Sequence, residues 1–435
     1  MNKKQDTIFA LSTPPGKSAI AVVRISGHQA YEFISKISSN MPKNHNQATF
    51  NKIIDRQKNI IDQTITTYFK SPKSFTGEDM IEVSLHGGSA VIKKFVKEIS
   101  NNSNIRIAEP GEFTRRAFEN NKLDLTQVEA ISDIVNAQTE IQRKQAISHL
   151  SGHFFSKTKK IFDNLKNVLA NIEAIIDFSE EELPENLLNN IKEQRENIIN
   201  TIDQILLGKN FGMSIRDGFT VAILGKPNTG KSSFINNISG RDVAIVTNNP
   251  GTTRDFVESF VDIHGLPVRF VDTAGLRKSK NKVEKIGVEK AINLSKDADI
   301  NLVFIDNITN KNEFSDFSNV IFIKSKQDLN LSKFSGNGFY NISSKNNYGI
   351  YQILEIIKKK LFEKHPKENE FISRERHVSC LTETKKHLVN SKQTKNIDIF
   401  AEDIRLATNA LAKLFGTVDI EDILDIIFSD FCIGK

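Results

Sequence analysis

Cysteine is almost absent: two residues in 435, Cys380 and Cys432, far apart in the chain. That argues against a disulfide framework and fits a reducing compartment, read here as the cytoplasm. No apolar run approaches the length of a transmembrane helix, so a membrane span is not expected. The leading MNKKQDTIFALSTPPG lacks the apolar core and small-residue cleavage site of a secretory signal. Internal repeats and low-complexity tails are missing, which argues against solenoids and disordered arms. No G-x-G-x-x-G occurs, so no dinucleotide such as FAD is expected on this chain. Neither RNP aromatics nor a KH-type GXXG loop can be recognised.

What is present suits a globular protein of two to three domains: 435 residues, 38% hydrophobic and 26% charged. The net charge of +6 permits a nucleic-acid partner. A merely solvated basic surface explains it equally well.

The most specific motif is GKPNTGKSS, Gly225 to Ser233, which satisfies G-x-x-x-x-G-K-[ST]. FTVAIL (Phe219 to Leu224) before it reads as a buried strand, and SSFINNI after it as the start of a helix. That strand–loop–helix context distinguishes a phosphate loop from a glycine-rich turn that matches by chance. The glycines let backbone N–H groups turn toward a phosphate, and the helix N-terminus adds partial positive charge. Lys231 is expected to bridge β- and γ-phosphates, and the Ser232 hydroxyl to ligate Mg²⁺.

Three further segments specify the nucleotide. PVRFVDTAG (Pro267 to Gly275) reads as a strand ending at Asp272, where a carboxylate supporting Mg²⁺ belongs, and the Gly275 N–H can sense a γ-phosphate. Between them PGTTRD places Thr253 to close over Mg²⁺ when that phosphate is present. VIFIKSKQD (Val320 to Asp328) ends on Asp328, a carboxylate able to accept both N1–H and the 2-amino group of guanine. NISSK (Asn341 to Lys345) completes a base loop. GTP contacts are therefore expected from Asn228, Thr229, Gly230, Lys231, Ser232 and Ser233, and from Thr247, Asn248, Asn249, Pro250, Gly251, Thr252 and Thr253. Others are expected from Asp272, Thr273, Ala274, Gly275, Lys326, Asp328, Ser343, Ser344 and Lys345. One position departs from the GTPase pattern: Ser325 stands where Asn is usual. Guanine preference is expected to survive through Asp328, since one neutral hydrogen bond is worth only about 0.5–1.5 kcal/mol. Weaker nucleotide affinity is compatible with the change.

Periodicity organises the rest. Residues 1–120 read as α/β: SAIAVVRISG and MIEVSLHGG as strands, HQAYEFISKIS and SAVIKKFVKEIS as helices. Residues 121–215 read as helical, broken at SEEELPEN. Residues 216–365 are the nucleotide-binding domain, a Ras-like P-loop fold with a mostly parallel sheet, closed by the helix IYQILEIIKKKLF. Residues 366–435 are helical again. The two helical stretches can form one bundle into which the nucleotide domain is inserted.

STPPGKSAIAVVRISG, SFTGEDMIEVSLHGG, AEPGEFTRRAFENNKLDLTQVEAISDIV and the final FCIGK, with the inserted GTPase domain, closely resemble the MnmE (TrmE) family of tRNA-modifying GTPases. The resemblance spans about Asp6 to Lys435. It implies a homodimer formed through N-terminal domains that bind a folate, 5-formyl- or methylene-tetrahydrofolate. Arg24, Glu82, Lys122 and Lys435 match the folate-contacting positions, which suits a ligand with a glutamate tail and a pterin. Cys432 falls in the same tail as a nucleophile or proton relay, or as small apolar filler beside Phe431.

The resemblance also implies how GTP is hydrolysed. Leu276 follows D-x-x-G where Ras-like enzymes use a water-positioning glutamine. Glu284 matches the family's catalytic glutamate, acting through an ordered water. No arginine finger is evident; Asn228, Thr247, Asn249 and Thr252 match ligands of a K⁺ ion that offsets transition-state charge. The FAD-containing partner MnmG (GidA) would join in a heterotetramer that modifies carbon 5 of the wobble uridine. The main alternative is a ribosome-assembly or translation-associated GTPase. A one-carbon transferase with a degenerate nucleotide domain is disfavoured by the intact Lys231, Ser232, Thr253 and Asp272. A scaffold whose GTP site only regulates assembly stays open.

Overall fold

A computed structural model describes residues 6–177, 187–239, 257–272, 293–306, 314, 317–329, 338–363, 372–394, 396–418, 421–429, 431 and 434. The chain divides into two compact units, Met1–Ser132 with Ala412–Lys435, and Asp133–Leu411.

The first unit is built on a six-stranded sheet. Its elements are β1 (Thr7–Leu11), β2 (Ser18–Ser26), α1 (Ala30–Lys36), β3 (Gln47–Ile54), β4 (Ile60–Phe69), β5 (Met80–Gly87), α2 (Ser89–Ser100), β6 (Ile105–Ile107), α3 (Glu112–Glu119) and the start of α4 (Leu125–Asn136), whose last residues, from Asp133, belong to the second unit. Strand order is β3-β4-β5-β2-β1-β6, antiparallel except where β1 meets β6. The expected strands and helices of this region form. The β3–β4 hairpin, which hydrophobic patterning did not disclose, joins them. Phe9, Val23, Ile25, Ile81, Val83, Phe95 and Ile99 fill the core.

The second unit carries α5 (Glu140–Leu150), α6 (His153–Asp177), α7 (Leu187–Leu207) and α8 (Lys209–Asp217), followed by β7 (Phe219–Gly225), α9 (Lys231–Ser239), β8 (Val257–Ile263), β9 (Leu266–Asp272), β10 (Ile300–Phe304), β11 (Val320–Lys324), β12 (Phe339–Asn341) and α10 (Ile350–Glu363). Helices α11 (Glu375–Asn390) and α12 (Ile397–Phe415) follow, and α13 (Glu421–Ser429) belongs to the first unit. The helical run after Lys122 is split between α4 and α5, because Thr139 starts α5 with a capping box closed by Gln142. The second sheet runs β12-β11-β10-β7-β9-β8, parallel except for β8 against β9. Its strands are buried on both faces, as in a parallel sheet covered by helices. Its core includes Val221, Ile223, Phe234, Val268, Phe270, Leu302, Phe304 and Ile323. Such sheets bind ligands beyond the carboxyl ends of their strands, where the phosphate loop lies.

Candidate functional site

The phosphate loop begins where β7 ends. Gly225 has φ +133°, and a Cβ there would stand 2.3 Å from the Phe304 carbonyl oxygen on neighbouring β10. Only glycine lets the two strands approach so closely. Gly230 has φ +94° and leads directly into α9. The loop fastens itself: Thr229 Oγ1 donates to the Lys226 carbonyl at 2.8 Å. Lys231 is buried, and its Nζ donates to the carbonyls of Gly225 at 2.9 Å and Lys226 at 2.6 Å. The ammonium is thus held inside the loop, where a phosphate would exchange weaker carbonyl partners for a charged one. Ser232 and Ser233 are exposed on the first turn of α9, and Asn228 is exposed in the loop.

The base loops are tied to the phosphate loop from the other side. Ser325 Oγ donates to the Thr229 carbonyl at 2.5 Å, and Lys326 Nζ to the Asn228 carbonyl at 2.6 Å. The serine that replaces the usual asparagine therefore makes a loop-fastening bond that sequence reading did not foresee. Asp328 Oδ1 accepts from the Ser343 hydroxyl at 2.7 Å. That bond, reinforced by nearby Lys345, holds the Asp328 carboxyl below the usual carboxylate range. Asn237 on α9 donates to the Ser344 carbonyl and to Asn347 Oδ1, both at 2.7 Å, and so anchors the second base loop. Asn237 carried no motif, so nothing in the sequence marked it. Asp272 is buried at the end of β9.

The structure thus joins Thr229 to Ser325 and Asn228 to Lys326, sets Gly230 against Ser325, folds Lys231 back on the phosphate loop itself, and joins Asp328 to Ser343. Thr247, Asn248, Asn249, Pro250, Gly251, Thr252, Thr253, Arg254, Thr273, Ala274, Gly275, Leu276, Glu284, Cys432 and Lys435 lie outside the described residues. Among the described residues no group of three or more His, Cys, Asp and Glu side chains is arranged to hold a metal ion. The described cation candidates are oxygen donors, the Ser232 hydroxyl and the Asn228 amide, which suits a hard ion.

The first unit holds the other predicted set. Arg24 on β2 and Glu82 on β5 are cross-strand partners. Arg24 donates through Nε at 3.0 Å and Nη2 at 2.8 Å, both to Glu82 Oε1. Phe75 and Phe113 flank its guanidinium at 5.4 and 5.7 Å. Neither ring had been singled out; both sit in the motifs SFTGED and GEFTRR. Lys122 is tied to the loop that carries Phe75, its Nζ donating to the Pro72 carbonyl at 2.9 Å. Gly434 packs on the end of β1: its carbonyl accepts from Ser12 Oγ at 3.1 Å, and a Cβ there would meet the Leu11 carbonyl at 2.6 Å. Beside this lies an ionic cluster. Arg116 is buried and contacts Asp6, Glu78 and Glu112, while Arg106 contacts Asp6 and Glu112. Burial pushes the Glu112 carboxyl up, but the bonds from Arg106 and Glu109 N–H and the charge of Arg116 prevail and hold it low.

No helix among the described residues is long and apolar enough to cross a membrane. Two family models cover nearly the whole chain: GTP-binding protein TrmE N-terminus over residues 7–122, and MnmE helical domain over residues 125–432. The chain is 42% identical to the tRNA modification GTPase MnmE of Pelagibacter ubique over 446 residues, 99% of this chain and 100% of that protein. It is 38% identical to the protein of the same name from Anaplasma marginale over 444 residues, again 99% of this chain and 100% of the relative. The chain belongs to the MnmE family of tRNA modification GTPases and is a GTP hydrolase.

Proposed function

We propose that this GTP hydrolase is activated by potassium and works as a cytoplasmic homodimer on tRNA. With the FAD-containing partner MnmG (GidA) in a heterotetramer, it would install an aminomethyl or carboxymethylaminomethyl group on carbon 5 of the wobble uridine. The carbon would come from 5-formyl- or methylene-tetrahydrofolate. In this reading residues 216–365 form a GTPase domain inserted between helical segments 121–215 and 366–435, and residues 1–120 form the folate-binding and dimerisation domain.

The observation that carries the reading is the presence, in one chain, of a fastened phosphate loop and of the Arg24–Glu82 pair between two aromatic rings. Both Arg24 bonds end on Oε1, which leaves the carboxylate able to accept an N–H from a pterin through its other oxygen. Arg24 would hold the anionic part of the folate together with Lys122 and Lys435. Asp328 would accept guanine N–H groups. Ser232 and Thr253 would hold Mg²⁺, and Asn228, Thr247, Asn249 and Thr252 would hold K⁺. Such a cation supplies the positive charge that an arginine finger supplies elsewhere. Glu284 would orient the attacking water.

The test is GTP turnover in KCl against NaCl at equal ionic strength, with Glu284→Ala alongside. Strong activation by KCl, lost in the variant, is the expected result. Equal rates in the two salts would overturn the potassium mechanism. Failure to restore modified wobble uridine in a reconstituted reaction with MnmG, tRNA and folate would overturn the modification reading.

A further inference from the structure

The chain passes from α8 into the second sheet at Asp217 and Gly218, and reaches α11 after the last helix packed on that sheet. One carboxylate holds both passages. Asp133 on α4 accepts from Arg216 Nε at 3.0 Å and from Arg374 Nη2 at 2.6 Å, both on Oδ1. Arg216 lies in the last turn of α8, and Arg374 is the residue that precedes α11. The Arg216 carbonyl accepts from Gln142 Nε2 at 3.1 Å, and the Gly212 carbonyl from Gln145 Nε2 at 2.9 Å. Both glutamines are on α5. The same helix packs on β9, and its Ile141 rests against the core of the sheet. Strand β9 ends at Asp272, in the nucleotide site.

The ion pairs are partly shielded: side-chain exposures are 14% for Asp133, 35% for Arg216 and 16% for Arg374. A polar cavity of about 100 Å³ lies beside them, lined in part by Asn136, Gln142 and Gln145. That is room for about three waters. Arginine–carboxylate pairs with water at hand can open and re-form without stranding a charge. Because both arginines share one oxygen, loosening one bond alters the other.

We infer that Asp133 is a coupling latch: it ties the two ends of the nucleotide-binding segment to α4, so that a displacement of β9 at Asp272 is passed through α5 to the helices. Asp133 is a positioning residue, and the inference rests only on the chain's being a GTP hydrolase.

The test uses the full chain and two variants, Asp133→Asn and Arg374→Gln. Amide hydrogen exchange is followed with GDP and with a non-hydrolysable GTP analogue, and GTP turnover is measured alongside. In the unmodified chain the amides of α4 and α5 should differ in protection between the two nucleotides. In Asp133→Asn the difference in α4 should vanish, while β9 and α5, which packs on it directly, still respond and turnover stays within about two-fold. Arg374→Gln keeps the Arg216 bond and should lose part of the difference, which preserves the test if Asp133→Asn does not fold. A full nucleotide-dependent difference in α4 of either variant would overturn the latch, as would its absence from the unmodified chain. Turnover, read separately, shows whether the GTP hydrolase assignment itself stands.

Discussion

Ser325 and Thr229 are joined side chain to backbone, the serine hydroxyl donating to the threonine carbonyl at 2.5 Å. A residue that looked like a loss from the base motif thus secures the phosphate loop. Ser325→Ala should weaken GDP binding by about 1 kcal/mol, roughly five-fold, the worth of one neutral hydrogen bond. Titration with a fluorescent guanine nucleotide measures it, and unchanged affinity would mean that the bond does not shape the bound loop.

Asp328 is expected to choose the base. Its carboxyl is held low by the Ser343 hydroxyl, so it stays an acceptor throughout the neutral range. Asp328→Asn gives up one acceptor for a donor. It should weaken GTP binding by at least about ten-fold and favour xanthosine triphosphate, whose ring carries a carbonyl where guanine has its amino group. Competition between the two nucleotides decides it; an unaltered preference for GTP would remove Asp328 from base recognition.

Arg24 offers a planar fork to Glu82 and two flat faces to Phe75 and Phe113. Lysine reproduces the charge but neither the fork nor the stacking. Arg24→Lys should therefore weaken tetrahydrofolate binding by about ten-fold, and Arg24→Ala further, as expected for charge-assisted bonds. Calorimetric titration with the folate checks both; equal binding by all three proteins would place the folate elsewhere.

Two glycines separate crowding from backbone strain. Gly265 has φ +94° with open space around a would-be Cβ, so Gly265→Ala should cost only the left-handed penalty of about 1–2 kcal/mol. Gly225 combines φ +133° with a carbonyl oxygen 2.3 Å from the same position. Gly225→Ala should cost more, about 3–5 kcal/mol. Thermal unfolding of both variants tests the ranking.

A pH dependence follows from Asp55. Chiefly through its bond from Lys94 at 2.8 Å, helped by Asn59, its carboxyl is held at about 2. A folded-state value below the unfolded 3.8 means stabilisation fully present above that unfolded value, lost as pH falls toward about 2. Carboxyl NMR should find Asp55 titrating near the lower limit, and Lys94→Met should move it back toward ordinary aspartate.

Legibility followed locality. The phosphate loop, the strand ending at Asp272 and the helices with regular apolar spacing could be read because each signal fits within a few turns of chain. The β3–β4 hairpin could not, because its alternation is partly inverted. Asn51, Thr64 and Thr66 are buried, while Phe50 and Ile65, paired across the strands, are 62% and 50% exposed. Hydrophobic patterning points such a hairpin the wrong way. The Arg24–Glu82 contact was hidden for another reason: it joins residues 58 apart in sequence, and only the sheet register brings them together.

The cluster of Asp6, Glu78, Arg106, Glu112 and Arg116 has a consequence for how this chain can change over generations. Removing Glu112 alone would leave Arg116, 7% exposed, with Asp6 and Glu78 as its remaining counter-charges, and losing one charge-assisted bond in this way costs about 1.5–3 kcal/mol. Single replacements there should be purged before a compensating one arises. The five positions are then inherited as a block, so that related chains keep the whole ring or replace it together.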